Sequence, residues 1–459
     1  MENRGHKLNK LNEEGIISFT WSKGIPQIFW IGLFSVFYLM RDLLGIAFPD
    51  LVFTGICGLA FLLTDVGTSL GIFIFTTALT VPHVEIRFVY LIILVAKLAL
   101  YGRLEMRAGM LLLTLGILLL QMVDILLYSV GSLYSEVYSY GVNMLTLILP
   151  LFWYGAEFSA KDYQRALLCY VAGVMLGGTV ALLLTANSTG WDVLLSGKYN
   201  TRLGITENVT ETMQTTYNAN QLAGMFAIAA AIILVTMDYK RMPKLLALPL
   251  VGYALFIVVM TRSRTGLLLM GLIVLVYYWV TVFRRKKFWA GLWILLAMIL
   301  LAVVVFNVFP GAAQAILNRF TNQDDITNGR ANLFGLYLNA WSEDAWCFLF
   351  GYGIGSYSNV VDIWEAPHNM ITDILICWGL LGLILILSIL VAQYKKGIKR
   401  IDKKMRLLAL LPAIIAVVAS MAGQYLTTGY PHMRLCFLLL AAKAFTETET
   451  GMANTLEKV

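Results

Sequence analysis

Long apolar runs separated by short polar breaks set the rhythm of this chain. An apolar helix rising 1.5 Å per residue needs about 20 residues to cross a hydrocarbon core of roughly 30 Å. Runs near that length occur at residues 25–47, 86–101, 107–129, 138–157, 163–185, 218–237, 245–261, 264–283, 288–309, 368–392, 407–426 and 433–446. Two shorter runs, 51–64 and 68–82, leave the early count open, since they fit re-entrant or merged helices. The pattern predicts an all-α polytopic membrane protein, a bundle of about 12–14 transmembrane helices. Two polar stretches, 186–217 and 310–367, are too long for simple connectors. Within the second, Leu333, Phe334, Tyr337, Ala340 and Trp341 recur at helical spacing, which predicts an amphipathic helix with Thr327 or Asn328 as its cap.

The chain then divides into a basic tail (1–24), N-terminal transmembrane helices (25–185), a first external loop (186–217) and central helices (218–309). A second external loop (310–367), C-terminal helices (368–447) and a tail (448–459) complete it. Composition agrees: 59% hydrophobic and 13% charged residues, with a mean hydropathy of +0.76, make the bilayer the solvent for most of the chain. The polar start, Met1 to Lys23, has no short apolar region followed by a small-residue cleavage site, so the first apolar run is expected to stay as a helix. The cysteines Cys57, Cys169, Cys347, Cys377 and Cys436 are scattered without metal-ligand spacing and read as small core residues. Basic clusters at Arg103/Arg107, Lys161/Arg165, Lys240/Arg241/Lys244, Arg284 to Lys287 and Lys395 to Arg406 fall on one side with both termini, and the positive-inside rule makes that side cytoplasmic. Topology thus accounts for the net charge of +7, and nucleic acid is not an expected partner.

A few cations break that rule. Arg262 and Arg264, in Thr261-Arg262-Ser263-Arg264-Thr265-Gly266, occupy a tight hairpin between two spans on the external side. An arginine drawn into a span costs about 2.5–3.5 kcal/mol, so something must compensate. Snorkelling or a structural ion pair is one account; the other is a guanidinium fork aimed at phosphate oxygens. Arg202, in Thr201-Arg202-Leu203-Gly204, and Arg330 lie on the same face, and together the arginines form a candidate anion site.

Among the histidines, His6 and His83 read as solvated, and His432 lies in an external turn. His368 stands apart, because Pro367-His368-Asn369 opens a membrane helix, with the proline suited to a first helical turn. Helix-terminal amides there disfavour an imidazolium, so the ring is expected to accept a proton from a hydroxyl, or else simply to cap the helix. The turn Gly351-Tyr352-Gly353-Ile354-Gly355 lacks the strand and βαβ context of a nucleotide loop and reads as a chain reversal that lets backbones pack closely. No Walker sequence, paired metal carboxylates or zinc spacing occurs, so neither a metal nor a cofactor is expected. Asp124, inside a span, fits either a bundle hydrogen bond or a pathway. The aromatic residues Trp341, Trp346, Tyr352, Tyr357 and Trp364 offer flat faces for sugar rings or an ordinary interfacial belt.

Ser263-Arg264-Thr265-Gly266, the glycine turn, and His368-Asn369 followed by Trp378-Gly379-Leu380-Leu381-Gly382 together resemble the O-antigen ligase and Wzy-like polysaccharide polymerase family. Arg202-Leu203-Gly204 followed by Asn220-Gln221-Leu222-Ala223 is similar to that family's upstream external arginine and helix opening, and the likeness covers about residues 200–390. The family usually carries an acidic residue where Cys377 stands, with Asp373 one turn earlier, and Asp-Pro-Asn where this chain has Asn218-Ala219-Asn220. The resemblance implies a metal-independent, inverting glycosyltransferase of the GT-C type in a bacterial cytoplasmic membrane, its active site facing outward. Donor and acceptor would be oligosaccharides on polyprenyl pyrophosphate, with a chain-length regulator and a flippase as partners. Arg264 and Arg202 would bind pyrophosphate with Arg330 or Arg262 assisting, and His368 would activate the acceptor hydroxyl as a base or orient it. Asn220, Asn369, Asp373, Gly353 and Gly355 would support them. Polymerase is the preferred activity, with transfer to lipid A-core as the alternative inside the family. A lipid-linked oligosaccharide flippase is the alternative outside it.

Overall fold

Where the structure describes the apolar runs marked out by the sequence, they fold as helices; nearly all of the run 138–157, most of 107–129 and the start of 86–101 lie outside the described residues. A computed structural model describes residues 27–46, 50–79, 93–100, 155–196, 201–204, 218–308, 310–321, 330–353, 367–421 and 431–446, with scattered positions between 109 and 127. Among these residues the architecture is all helical with no strand, as a polytopic membrane protein requires. The N-terminal part holds α1 (Gln27–Asp42), α2 (Asp50–Leu63), α3 (Val66–Thr77), α4 (Ala160–Thr189) and the short α5 (Trp191–Ser196). The central part holds α6 (Ala219–Asp238), α7 (Lys244–Thr261), α8 (Arg264–Trp279, prolonged by a π-turn over Val280–Arg284) and α9 (Phe288–Val308). Then come α10 (Pro310–Thr321), α11 (Arg330–Glu343), α12 (Ala345–Phe350), α13 (Met370–Ile398), α14 (Arg406–Ala409), α15 (Leu411–Met421) and α16 (Pro431–Ala441), the last followed by a 3₁₀ turn over Ala442–Phe445. Five of the described helices, α4, α6, α7, α8 with its π-turn, and α13, are long and apolar enough to cross a membrane.

Helix α6 is the hub. Its Ala223, Ala227, Ala229, Ala230 and Ala231 are all fully buried, and such small side chains let neighbouring helices approach closely. Helices α4, α7, α8 and α15 pack around it. Facing outward, Leu245, Leu268, Leu275, Ile384 and Leu387 stay exposed, which suits hydrocarbon rather than water.

The polar stretch after residue 309 is more helical than its sequence pattern suggests. It contains α10, α11 and α12, and α11 buries Leu333 and Tyr337 while Ala340 and Trp341 pack partly behind them. That is the stripe expected from the spacing, and it lies against α13.

Each of the longer helices runs between two recognisable ends. Arg285, after α8, is paired with Asp238 at the close of α6 and reaches Met405 Sδ at 3.1 Å, just before α14 and α15. Arg241, before α7, donates to Gln164 of α4 at 2.8 Å and to the carbonyl of Ala444 beyond α16. The clusters around Lys161, Arg241, Arg285 and Lys396 therefore share one end. Arg103 and Arg107 lie outside the described residues, as do His6, His83, Asp124, Thr327, Asn328, Gly355, Tyr357 and Trp364, and the side chains of Cys57 and His432.

Candidate active site

The opposite end begins at the hairpin between α7 and α8. Arg262 closes α7 in a left-handed conformation, φ 51°, and is only 3% exposed. Its guanidinium turns back under the neighbouring segment: Nη1 donates to the carbonyl of Thr201, and Nη2 to that of Leu194 at 2.8 Å. Leu203 N also donates to Met260 O, at 3.0 Å. These bonds dock residues 201–204, and hence Arg202, against the α7–α8 turn. Arg262 was one of the two arginines expected to assist at the pyrophosphate; in the structure its two terminal nitrogens are given to protein carbonyls.

Ser263 joins the next two pieces. Its hydroxyl accepts from Gly266 N at 3.1 Å, capping α8, and donates to Asn220 Oδ1 at 2.7 Å in the first turn of α6. The starts of α6 and α8 therefore lie side by side. Asn218 caps α6 through a 2.9 Å bond from Asn220 N. Asparagine caps about as well as aspartate, so this part of Asn218-Ala219-Asn220 departs from the family pattern without loss of the cap.

Arg264 is the first residue of α8 and is half-buried, as is Arg202. A cation at a helix N-terminus opposes the macrodipole, by roughly 0.3–1 kcal/mol where exposed. Here two such termini sit together, with Arg202, Arg262 and Arg264 around them. Helix N-termini favour anions, and a guanidinium fork matches the oxygens of a phosphate.

The second part of the site is built on α13. Asn369 caps it, with Oδ1 accepting from Ile371 N at 2.9 Å and Thr372 N at 3.2 Å, while its Nδ2 donates to Met421 O at 2.9 Å. Pro367 and His368 thus precede the helix, and the proline does not lie in its first turn as the sequence suggested. His368 is held at φ 52°, a conformation uncommon outside glycine, and is half-buried. Asp373 lies in the first turn of α13, where the dipole favours an acid, and is buried like Cys377 one turn on.

Deeper along α13 the helix breaks. Gly379 has φ 62° and ψ −165°, which frees carbonyls of the preceding turn. The glycine turn takes them up: Tyr352 N donates to Ile376 O at 2.8 Å and Gly353 N to Cys377 O at 3.0 Å. A Cβ on Gly379 would stand 2.3 Å from the carbonyl carbon of Leu349, and one on Gly351 would stand 2.4 Å from Trp378 N, so backbone packs on backbone as the glycines implied. Tyr352 is buried and donates to Ala340 O at 3.0 Å; burial first, then nearby Cys347, Asp344 and Glu343, push its phenol pKa up. Trp341 stacks on Phe348 with centroids 4.6 Å apart. These rings pack the α11–α12–α13 unit, which leaves Tyr352 no open face for a sugar. Arg330 opens α11, which lies along α13.

Helix α15 brings the two parts to one end. The chain leaves the basic end at Met405, beside Arg285, and passes through α14 into α15, which packs along α6 and α8 and finishes at Met421, whose carbonyl holds Asn369. His368 consequently lies at the same end of the bundle as Arg202, Arg262 and Arg264. Sequence reading missed the work of Ser263 as a bridge and of α15 as a spacer. A serine three residues before the buried Gly266 was the visible sign of the first, and nothing local announces the second.

A family model described as O-antigen ligase matches residues 249–387, from α7 into α13. That span includes Arg262, Arg264, Arg330, Gly353, His368, Asn369 and Asp373, and leaves Arg202 and Asn220 outside. No curated protein matches the chain.

Proposed function

We propose that this membrane protein, whose residues 249–387 match a family model described as O-antigen ligase, transfers glycan from a polyprenyl pyrophosphate carrier and acts as a polysaccharide polymerase. The observation behind this is the gathering of Arg202 and Arg264 at the paired starts of α6 and α8, at the end where His368 precedes α13 and opposite the basic clusters. Positive clusters face the cytoplasm, so the arginine end is the outer one.

In this mechanism Arg264 and Arg202 hold the pyrophosphate of the donor, and Arg262 keeps Arg202 in place. The acceptor hydroxyl attacks the anomeric carbon; its C–O bond forms as the bond from that carbon to the pyrophosphate oxygen breaks. His368 takes the hydroxyl proton, and the guanidinium groups meet the charge developing on the leaving diphosphate. Attack from the side opposite the leaving group inverts the anomeric centre. The donor carries its own leaving group, so no nucleotide or metal enters the reaction.

Ligase activity, toward lipid A-core, differs only in the acceptor and is supported equally by the family description. The test is purified protein in liposomes, given lipid-linked repeat units with or without lipid A-core, in EDTA. Lengthened lipid-linked chains are expected. Glycan appearing on lipid A-core alone makes the protein a ligase. Lipid merely moved between leaflets, with every unit still single, makes it a flippase and refutes transfer altogether.

A further inference from the structure

The two polar stretches on either side of the central helices meet at a glycine. Helix α10 opens with Pro310 and Gly311. Proline suits a first helical position, because its φ is already helical and the N–H it lacks would have no partner there. Gly311 follows in ordinary helical backbone, so no turn requires a glycine at that place. A neighbour does. A Cβ on Gly311 would stand 2.4 Å from the carbonyl oxygen of Ser196 and 3.1 Å from its carbonyl carbon and Cα. The last residue of α5 thus rests on the second residue of α10, main chain on main chain.

What α5 carries makes that contact matter. Leu194, two residues before Ser196, is fully buried, and its N–H donates to Gly190 O at 3.1 Å. Its carbonyl accepts from Arg262 Nη2 at 2.8 Å, and the other terminal nitrogen of Arg262 holds the carbonyl of Thr201. One guanidinium therefore staples α5 to the segment that bears Arg202. The bond to Leu194 is buried, so water cannot replace the carbonyl if α5 shifts. On its other side α10 packs against α8, which Arg264 opens, and it buries Ala313. Helix α10 thus touches both the element that braces Arg202 and the one that carries Arg264.

We propose that Gly311 is a positioning residue of the arginine site: by having no side chain, it seats α10 on Ser196 and holds α5 where Leu194 accepts from Arg262. The inference rests on the reading that Arg202 and Arg264 hold the pyrophosphate of a lipid-linked donor. Gly311 acts at a distance, through the Ser196 main chain, the Leu194 carbonyl and then Arg262. An alanine at 311 suits the helix itself, so its whole effect falls on the seam. The atoms it meets are backbone, which cannot swing aside as a flexible side chain would, and a six-residue helix yields as a body. The displacement at Ser196 then reaches Leu194, and Arg262 loses its partner.

The full chain in detergent is titrated with farnesyl pyrophosphate, and with farnesol to measure the tail alone, by isothermal titration calorimetry. Gly311→Ala is expected to weaken binding of the pyrophosphate about tenfold and to leave farnesol unchanged. A double-mutant cycle identifies the route, because Gly311→Ala added to Arg262→Gly is expected to weaken binding by no more than about twofold beyond Arg262→Gly alone. A merely structural glycine would give losses that add. Pro310→Gly stands in if Gly311→Ala does not fold: Pro310 is exposed, and the change loosens the same turn without adding atoms. It is expected to weaken binding about threefold, with the same dependence on Arg262. Wild-type protein that binds farnesol as tightly as farnesyl pyrophosphate overturns the pyrophosphate reading and this inference with it. A wild-type preference for the pyrophosphate that the folded variant leaves untouched, or losses that add to that of Arg262→Gly, overturns the inference alone.

Discussion

At the end marked by Lys161, Arg241, Arg285 and Lys396, positive charge sits in ordinary places. Lys395 and Lys396 occupy the last turn of α13, where the macrodipole welcomes cations, and Arg285 has Asp238 as partner. At the other end, Arg264 starts a helix, Arg262 closes one in a left-handed conformation, and His368 adopts the same conformation just before a third. One set of charges is locally favourable and lies where the positive-inside rule expects a cytoplasmic face. The other stands on uncommon backbone, with Arg262 and His368 at positive φ, and is held in place by Ser263, Asn220 and the carbonyls of Thr201 and Leu194; such conformations cluster at functional sites.

The sharpest way to break this contrast is to change chemistry without changing the scaffold. His368→Ala is expected to lower transfer by about 10²–10⁴-fold. Arg264→Lys, which keeps charge but loses the fork, should cost about 10²–10³-fold. Both are read as turnover of purified protein with an unaltered melting temperature. Lys161→Gln, at the basic end and exposed, should leave turnover within about twofold; a loss matching that of Arg264→Lys would erase the distinction between the ends.

Next in size is Gly379→Ala. A side chain there meets the Leu349 carbonyl and adopts a left-handed backbone, so roughly 3 kcal/mol of stability should go, seen as a lower melting temperature in detergent. Arg262→Gly separates two roles of one residue, because glycine accepts φ 51° while abandoning the carbonyls of Thr201 and Leu194. About 1–3 kcal/mol is expected, appearing chiefly as a raised KM for the lipid-linked donor, since Arg202 loses its support. Wild-type KM in that variant would separate the clamp from the site. Smallest is Ser263→Ala, which removes the cap of α8 and the link to Asn220 for about 1 kcal/mol, measured by thermal melting.

Several of these features were open to reading from the chain. The α7–α8 hairpin falls within a residue of its expected place because apolar runs of spanning length end abruptly at Arg262 and Arg264. The buried face of α11 follows from the spacing of Leu333, Tyr337, Ala340 and Trp341, and the backbone contact of Gly351 with α13 from a turn rich in glycine. The use of Arg262 was not open, because its partners, Thr201 and Leu194, are 61 and 68 residues away and are main-chain carbonyls that no side-chain pattern signals. Nor was the helicity of α10, whose short polar sequence lacks the length of a span.

Sequence alone determined that this chain is a helical membrane protein, where those long helices that the structure describes begin and stop, and which few cations and which histidine stand out, because bilayer thickness and hydropathy act locally along the chain. Tertiary structure decided which of those cations hold the protein and which are presented together. Arg262 was turned inward, the starts of α6 and α8 were joined through Ser263, and His368 was carried to the same end by α15. Such assignments depend on hydrogen bonds between segments far apart in sequence, and they exist only once the helices have packed.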